Sequence, residues 1–315
     1  MRSEVVNNIL NWWNDNYSLI ADYNITEKQI LGDKEQKKCR FCGKSEPEVT
    51  FRDIAHVIPA SLDNKFLFSY YECDDCNHLF GNTIEDHLNK YIFPHRLASI
   101  ILGRKGKITY KEDESNRIDV TQGNWNVKET CSRLITKTGE HSIRVNVKRD
   151  TYIPIMVYKA FVKMAVCLMP EEEMPFMKNT IAWLLSDKAV IEDYFGKFVM
   201  MRTFTGVNKF PFIKTSLFKK KQDELALPEY LFFIAFGNYC YQIIVPCFEK
   251  DKKLDGKTVS IKGLPVPFDI FSTSPQNNHV LLDFSSHNSV ADEHAPIYLH
   301  FKREEIKFDL GSNVE

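Results

Sequence analysis

Apolar residues recur every three to four positions in three parts of the chain, and this period predicts amphipathic helices. Two of these parts are residues 3–21 and residues 152–168. The third has a strict four-residue spacing, and its members are Phe80, Ile84, Leu88 and Ile92. We predict one helix along this stripe. It should begin near Asp74 and Asp75, because carboxylates are favoured at the positive end of a helix dipole.

Alternation of apolar and polar residues, or short apolar runs, predicts strands in the part of the chain after residue 108. The clearest segments are 118–120, 142–147, 230–236, 239–246 and 280–284. Helices followed by mainly antiparallel strands are typical of an α+β fold. At 315 residues the chain is long enough for two domains, and the change of pattern predicts a division into residues 1–110 and 111–315.

Four cysteines form two C-x2-C pairs with thirty residues between them, namely Cys39, Cys42, Cys73 and Cys76. Each pair offers two thiolates to one tetrahedral ion, so the spacing predicts a structural Zn²⁺ site. Between the pairs, residues 49–58 are rich in β-formers and predict a strand that delivers His56 to its end, where Pro59 stops it. Residues 60–69 are predicted as a loop and residues 70–72 as a short return strand.

This order of motifs resembles the HNH endonucleases of the His-Me finger (ββα-metal) superfamily. The resemblance covers residues 39 to about 92 and is carried by C-R-F-C, then A-H-V-I-P, then C-D-D-C-N-H. It implies a zinc-stapled ββα-metal finger that hydrolyses phosphodiester bonds, in DNA with RNA left open, in prokaryotic defence or restriction. The helix over residues 3–21 would buttress the finger, and a mixed helical and antiparallel-β C-terminal domain would follow.

The resemblance also assigns roles. The strand-end histidine of the family is the general base, which is His56 here, and an imidazole suits that role because its ordinary pKa is about 6.5. The helix residue after the second cysteine pair is the family's metal ligand, which is Asn77 here. An amide oxygen is a hard donor, so we expect Mg²⁺ or Mn²⁺ as the catalytic ion.

One position departs from the commoner pattern, because Ala55 stands where many HNH enzymes have a second metal ligand, an aspartate. The chain therefore resembles the one-ligand branch, in which a glutamate eight residues beyond the asparagine completes the site. Glu85 has that spacing from Asn77 and would share its helix face. It would orient a water of the cation, or it is an ordinary solvated carboxylate, and both interpretations stay open.

Two further sets of residues have alternative interpretations. Asn64 lies in the loop after Pro59, where its amide would hold His56 or the backbone near it, or would simply form a turn. The segment 103–107 contains Arg104, Lys105 and Lys107, which would contact nucleic-acid phosphates or form a solvated turn. The formal net charge of the chain is −1, so any attraction to nucleic acid must be local.

The second half contains no recognisable catalytic motif, and we expect it to serve target recognition, regulation or partner docking. An activating partner protein, a small-molecule signal such as a cyclic oligonucleotide, and an oligomer all remain open. No stretch is apolar enough to span a membrane, and reduced thiolates favour a cytoplasmic location. The opposing hypothesis is a zinc-stapled nucleic-acid-binding or scaffold protein whose finger is inactive.

Overall fold

The structure is a computed structural model that describes residues 2–103, 105–121, 124–129, 134–186, 197–204, 206, 209–266 and 278–300. The α-helices of these ranges are α1 (Arg2–Asn16), α2 (Asp74–Asn82), α3 (Ile84–Ala98), α4 (Pro154–Leu168), α5 (Lys178–Leu185) and α6 (Phe248–Asp251). The strands are β1 (Tyr17–Ile25), β2 (Gln29–Leu31), β3 (Ala55–His56), β4 (Leu67–Ser69), β5 (Ile108–Lys111), β6 (Arg117–Thr121), β7 (Asn124–Lys128), β8 (Ile135–Gly139), β9 (Ser142–Lys148), β10 (Phe198–Thr203), β11 (Phe210–Lys220), β12 (Tyr230–Gly237), β13 (Tyr239–Val245), β14 (Asn278–Asp283) and β15 (His294–His300).

The largest sheet has six strands in the order β1-β11-β12-β13-β10-β14, and all of its pairs are antiparallel. Its two central strands, β12 and β13, are buried along almost their whole length, which is why they are apolar at successive positions. The tight connection between them uses Gly237, whose φ of 56° and close approach to the Ser99 side chain exclude a larger residue. The strands predicted at 230–236 and 239–246 are confirmed as β12 and β13.

The predicted helix over residues 3–21 is wrong after Asn16. From Tyr17 onward the chain becomes β1, which pairs with β11 from Tyr17 opposite Lys220 to Ile25 opposite Ile213. Pairing along a long neighbouring strand outweighs a helical period that continues for only one more turn. The helix that remains, α1, packs against this sheet, and its Trp13 ring lies 4.9 Å from the ring of Phe218.

Helix α4 lies in the centre of the molecule and confirms the helix predicted over residues 152–168. All of its residues except Met156 are buried, as expected for a helix that is apolar on every side. It packs against α3 on one side and β13 on another. One continuous core therefore includes the cysteine-rich segment, α4 and the six-stranded sheet.

Two three-stranded sheets, β5-β6-β7 and β15-β9-β8, share a smaller core with the C-terminal end of α3. The strands predicted at 118–120 and 142–147 are confirmed within β6 and β9. Separate helices and antiparallel sheets confirm the α+β class. Because β1 pairs with a strand far beyond residue 110, both sides of the expected domain boundary contribute to one sheet, and the division into 1–110 and 111–315 stays a prediction. Among the described residues, the helices are too short or too polar to cross a bilayer.

Candidate active site

The four paired cysteines converge in the structure. Their sulfur atoms all lie within 4.8 Å of one another, and the Sγ atoms of Cys42 and Cys73 are 3.7 Å apart. A tetrahedral ion with Zn–S bonds of about 2.3 Å separates its sulfurs by about 3.8 Å, so the four sulfurs are close enough to share one zinc ion. Donation from Cys76 lowers the pKa of Cys39, whereas burial raises the pKa of Cys73. A bound cation would favour all four thiolates together.

The segment leading to His56 is tied to the start of α2 rather than to a partner strand. The Asp74 carboxylate accepts hydrogen bonds from the backbone N–H groups of Arg52 (3.0 Å) and Asp53 (3.3 Å), and from the hydroxyl of Thr50. These amides are therefore not available to a β-ladder. For this reason β3 contains only Ala55 and His56, and the strand predicted over residues 49–58 is wrong outside this pair.

His56 ends β3 opposite Phe68 of β4, and the two rings lie 4.6 Å apart between centroids. The side chain is half-buried, so one part of the imidazole is packed and another part is open to solvent. Its neighbour Ala55 is buried, because successive residues of a strand point to opposite faces. The strand thus presents the imidazole at an accessible edge of the cysteine-rich segment.

Asn64 organises the loop between β3 and β4. Its Nδ2 donates to the carbonyl oxygens of Ile58 (2.6 Å) and Leu67 (2.8 Å) and lies 3.5 Å from His56 Nδ1. Its Oδ1 accepts from the N–H groups of Phe66 (3.1 Å) and Leu67 (2.9 Å). The loop therefore closes early, and the return strand lies at Leu67–Ser69 instead of the predicted residues 70–72.

Asn77 and Glu85 do not lie on one helix, and the prediction that they do is wrong. Thr83, with φ of −120° and ψ of −98°, ends α2, and α3 begins at the next residue. The Thr83 hydroxyl donates to the carbonyl oxygen of Leu79, which competes with helix continuation. Asn77 is half-buried in the first turns of α2, and Glu85 lies in the first turn of α3. The apolar stripe from Phe80 to Ile92 is nevertheless buried on both helices.

Glu85 contacts a lysine that the sequence analysis did not single out. Lys163 of α4 donates to Glu85 Oε1 at 3.0 Å, and its Nζ lies 2.8 Å from Glu72 Oε2 and 3.5 Å from the backbone oxygen of His56. Burial would lower the pKa of Lys163, but the two carboxylates outweigh it and hold that pKa well above its ordinary value. One feature of the sequence could have indicated this buried ion pair: Lys159 and Lys163 are two charges four residues apart in an otherwise apolar helix.

The basic turn after α3 is only partly described, since Arg104 lies outside the described residues. Lys105 and Lys107 are exposed on a turn closed by a hydrogen bond from the Gly103 N–H to the Lys107 carbonyl oxygen (3.0 Å). Exposure is compatible with both earlier interpretations, so their contact with phosphate stays a prediction. His78 is also exposed, and its Nε2 lies 2.8 Å from Asn82 Nδ2.

Residues 39–93 match the HNH endonuclease family. The matched segment contains both cysteine pairs, His56, Asn64, Asn77 and Glu85, and is less than a fifth of the chain. No curated protein and no solved structure matches the chain. The resemblance found in the sequence is thus confirmed for the HNH finger, which we define as residues 39–93.

The HNH finger fits two different cations to different degrees. The cysteine cluster fits zinc, as described above. For the catalytic ion, the described residues hold no group of three or more His, Cys, Asp or Glu ligands besides this cluster. The assignment of Asn77 as the ligand of a catalytic ion therefore stays a prediction.

Proposed function

We propose that the protein is a metal-dependent endonuclease that hydrolyses phosphodiester bonds, with DNA as its substrate, and that it acts in prokaryotic defence or restriction. The observation that supports this proposal best is the placement of His56. Inside the matched HNH finger, β3 presents a half-buried imidazole whose Nδ1 lies 3.5 Å from the buried amide of Asn64. A zinc-stapled scaffold would not need an imidazole at this position.

The chemistry follows from the residues present. His56 accepts a proton from a water molecule, and the oxygen of that water attacks the scissile phosphorus. The phosphorus–O3′ bond then breaks, and the 3′ oxygen takes a proton from solvent. Asn64 restricts the imidazole by holding the backbone on both sides of the loop, so His56 does not have to be ordered when substrate arrives.

Asn77 would contribute the protein ligand of a Mg²⁺ or Mn²⁺ ion. When bound, such an ion neutralises charge on the phosphate and stabilises the leaving oxygen. Asn77 suits this role because it lies in the first turns of α2, directly after the zinc ligand Cys76, which fixes its backbone. The structural zinc and the catalytic ion would therefore have separate ligands.

A nicking assay on supercoiled plasmid tests the proposal. We expect cleavage by the wild-type protein with Mg²⁺ or Mn²⁺, and a loss of about 10²–10⁴ in rate for His56→Ala. His78→Ala is the matched control, because it removes an exposed histidine of the same finger and should leave the rate unchanged. Parallel reactions on single-stranded RNA separate the two nucleic-acid substrates.

Two results would argue against an enzyme. Equal nicking by the wild-type protein and by His56→Ala would point to a contaminating nuclease. Binding of plasmid without cleavage, over a range of both ions, would support the zinc-stapled binding or scaffold protein. We further propose that the part of the chain beyond residue 110 selects the target or receives an activating signal, since the matched family segment ends at residue 93.

A further inference from the structure

Lys163 is a buried cation that reaches the HNH finger from outside it. The residue lies on α4, seventy residues beyond the end of the matched segment, and its side chain is 1 % exposed. Its ammonium group faces three acceptors, all of them in the finger: Glu72 Oε2, Glu85 Oε1 and the backbone oxygen of His56. The contacts to Glu85 Oε1 and to the His56 oxygen are hydrogen bonds, and the contact to Glu72 is an ion pair at 2.8 Å.

The three acceptors lie on different elements of the finger. The His56 carbonyl ends β3, Glu72 immediately precedes the zinc ligand Cys73, and Glu85 is in the first turn of α3. Because β3 and β4 are short and α2 and α3 are separate helices, few backbone hydrogen bonds connect these elements to each other. Lys163 therefore links three elements whose relative positions decide where the catalytic side chains point.

We propose that Lys163 is a positioning residue for hydrolysis, which holds Glu85 and the end of β3 that carries His56 in their reactive arrangement. This inference rests on the proposed function. Lys163 is too deeply buried to touch nucleic acid, so its contribution is made through the residues it orients. The second half of the chain thereby supplies a part of the site that the HNH finger lacks, and the finger's activity depends on α4 being in place.

Kinetics of Lys163→Met test the inference. Displacing catalytic groups by a fraction of an ångström lowers the rate of the chemical step, so we expect kcat to fall about tenfold to hundredfold. KM should stay within twofold, because no substrate contact is removed. Lys159→Met is the matched control. Lys159 is equally buried one turn earlier on α4, but it donates to the carbonyl oxygens of Trp183 and Ser186, away from the finger. Its kcat should be that of the wild type.

A second variant separates positioning from charge neutralisation. Lys163→Met leaves the fully buried Glu72 carboxyl without its cation, and the double variant Lys163→Met/Glu72→Gln replaces that carboxyl by a neutral amide. We expect the double variant to regain thermal stability and zinc content while its kcat stays low. If it regains the wild-type kcat, Lys163 only neutralises Glu72 and the inference is overturned, with the proposed function intact.

A third variant is needed if Lys163→Met and the double variant Lys163→Met/Glu72→Gln both fail to fold. Glu85→Met keeps the Lys163–Glu72 pair and removes the acceptor that α3 offers to Lys163, and because this side chain is partly exposed, folding should be preserved. We expect at least a tenfold loss of kcat, and a wild-type kcat would overturn the inference. A wild-type protein that cleaves no nucleic acid would overturn the proposed function and this inference together.

Discussion

Asn64 is the residue on which the finger's loop depends most directly. It is 2 % exposed, and its amide makes two hydrogen bonds as donor and two as acceptor to the backbone between Ile58 and Leu67. Removing the amide leaves buried carbonyl and N–H groups without partners, each of which costs about 1–3 kcal/mol. We expect Asn64→Ala to lower the free energy of unfolding by about 3 kcal/mol, measured by denaturant titration of the zinc-loaded protein, and to lower the cleavage rate.

The control for this prediction is Asn82→Ala. Asn82 is exposed at the end of α2, and substitutions at such positions usually change stability by less than about 0.5 kcal/mol. An Asn64→Ala protein as stable as Asn82→Ala would show that the loop does not need this amide.

The sequence left two interpretations of Asn64 open, a turn residue or a residue that holds the catalytic strand. The structure shows that they are compatible, because the same amide closes the turn and approaches His56. This could not be predicted, since it depends on β4 beginning at Leu67. Lys163 was missed for a similar reason. A lysine in an otherwise apolar helix gives no indication of which distant carboxylates it contacts.

At the scale of elements, the zinc cluster holds together a finger whose strands contain two and three residues. Because these strands are so short, the finger buries only a small hydrophobic core. A structural zinc compensates for this, since it contributes about 10 kcal/mol or more of apparent folding free energy. We expect one zinc per chain by metal analysis, and we expect Cys73→Ser to lose both the metal and the cooperative unfolding of the finger. Cys240→Ser is the control, because Cys240 lies in β13 outside the cluster.

Full zinc content in Cys73→Ser would contradict this prediction. So would rapid labelling of all four cluster thiols in the untreated wild-type protein, because thiolates that coordinate zinc are protected from alkylation.

Helix α3 carries a buried histidine that makes stability depend on pH. The His95 ring stacks on Tyr239 at 4.2 Å, and its Nδ1 lies 2.5 Å from the hydroxyl of Tyr241. Burial, and then the Arg149 guanidinium 3.4 Å from Nε2, hold the pKa of His95 well below its ordinary value. As the pH falls below about 6.5, the unfolded chain takes up a proton that the folded protein does not, so stability is lost on acidification.

The free energy of unfolding at pH 7.5 and pH 5.5 tests this effect. We expect His95→Gln to be less stable than the wild type at pH 7.5, but to lose about 1.4 kcal/mol less between the two values. His141→Gln replaces an exposed histidine and should keep the wild-type pH dependence. Parallel pH profiles for the wild type and His95→Gln would mean that other groups cause the acid sensitivity.

The elements show where periodicity is a sound guide and where it fails. Strands β12 and β13 and helix α4 were predictable because their apolar residues face one large core, whereas β1, an outer strand of the same sheet, was predicted as part of a helix. The stripe from Phe80 to Ile92 also predicted burial correctly, yet one helix became two. The break between α2 and α3 depends on the backbone conformation of Thr83. The spacing of apolar residues does not show where a single residue leaves the helical conformation. The strand predicted over residues 49–58 was too long, because backbone N–H groups of this segment donate to the Asp74 carboxylate and not to a partner strand.

At the scale of the whole molecule, the HNH finger and the rest of the chain are joined by polar groups as well as by the shared core. Lys163 enters the finger from α4, and Arg40 of the first cysteine pair reaches α4 in the opposite direction. Arg40 Nη1 donates to the carbonyl oxygens of Val166 (3.0 Å), Cys167 (3.1 Å) and Met169 (2.8 Å). The last carbonyls of a helix have no partner within it, so the finger caps the C-terminal end of α4.

This contact predicts that the zinc cluster stabilises more than the finger. Arg40 follows the ligand Cys39 directly, and its guanidinium lies 3.3 Å from the centre of the Tyr71 ring, so its position depends on the folded knuckle. If zinc is removed by a chelator, the knuckle loosens and the carbonyls at the end of α4 lose their donor. We expect faster amide hydrogen exchange over the last turn of α4, and unchanged exchange in β12, which lies at the centre of the six-stranded sheet.

Arg40→Met, with zinc still bound, decides whether Arg40 transmits this effect. The variant removes the donor and keeps the knuckle, so it should reproduce the faster exchange at the end of α4 without loss of metal. Lys44→Met, exposed on the same knuckle, should leave exchange unchanged. If chelation accelerates exchange in α4 but Arg40→Met does not, the two parts communicate through their apolar core. If neither treatment changes exchange, the end of α4 is stable by itself and the zinc acts only within the finger.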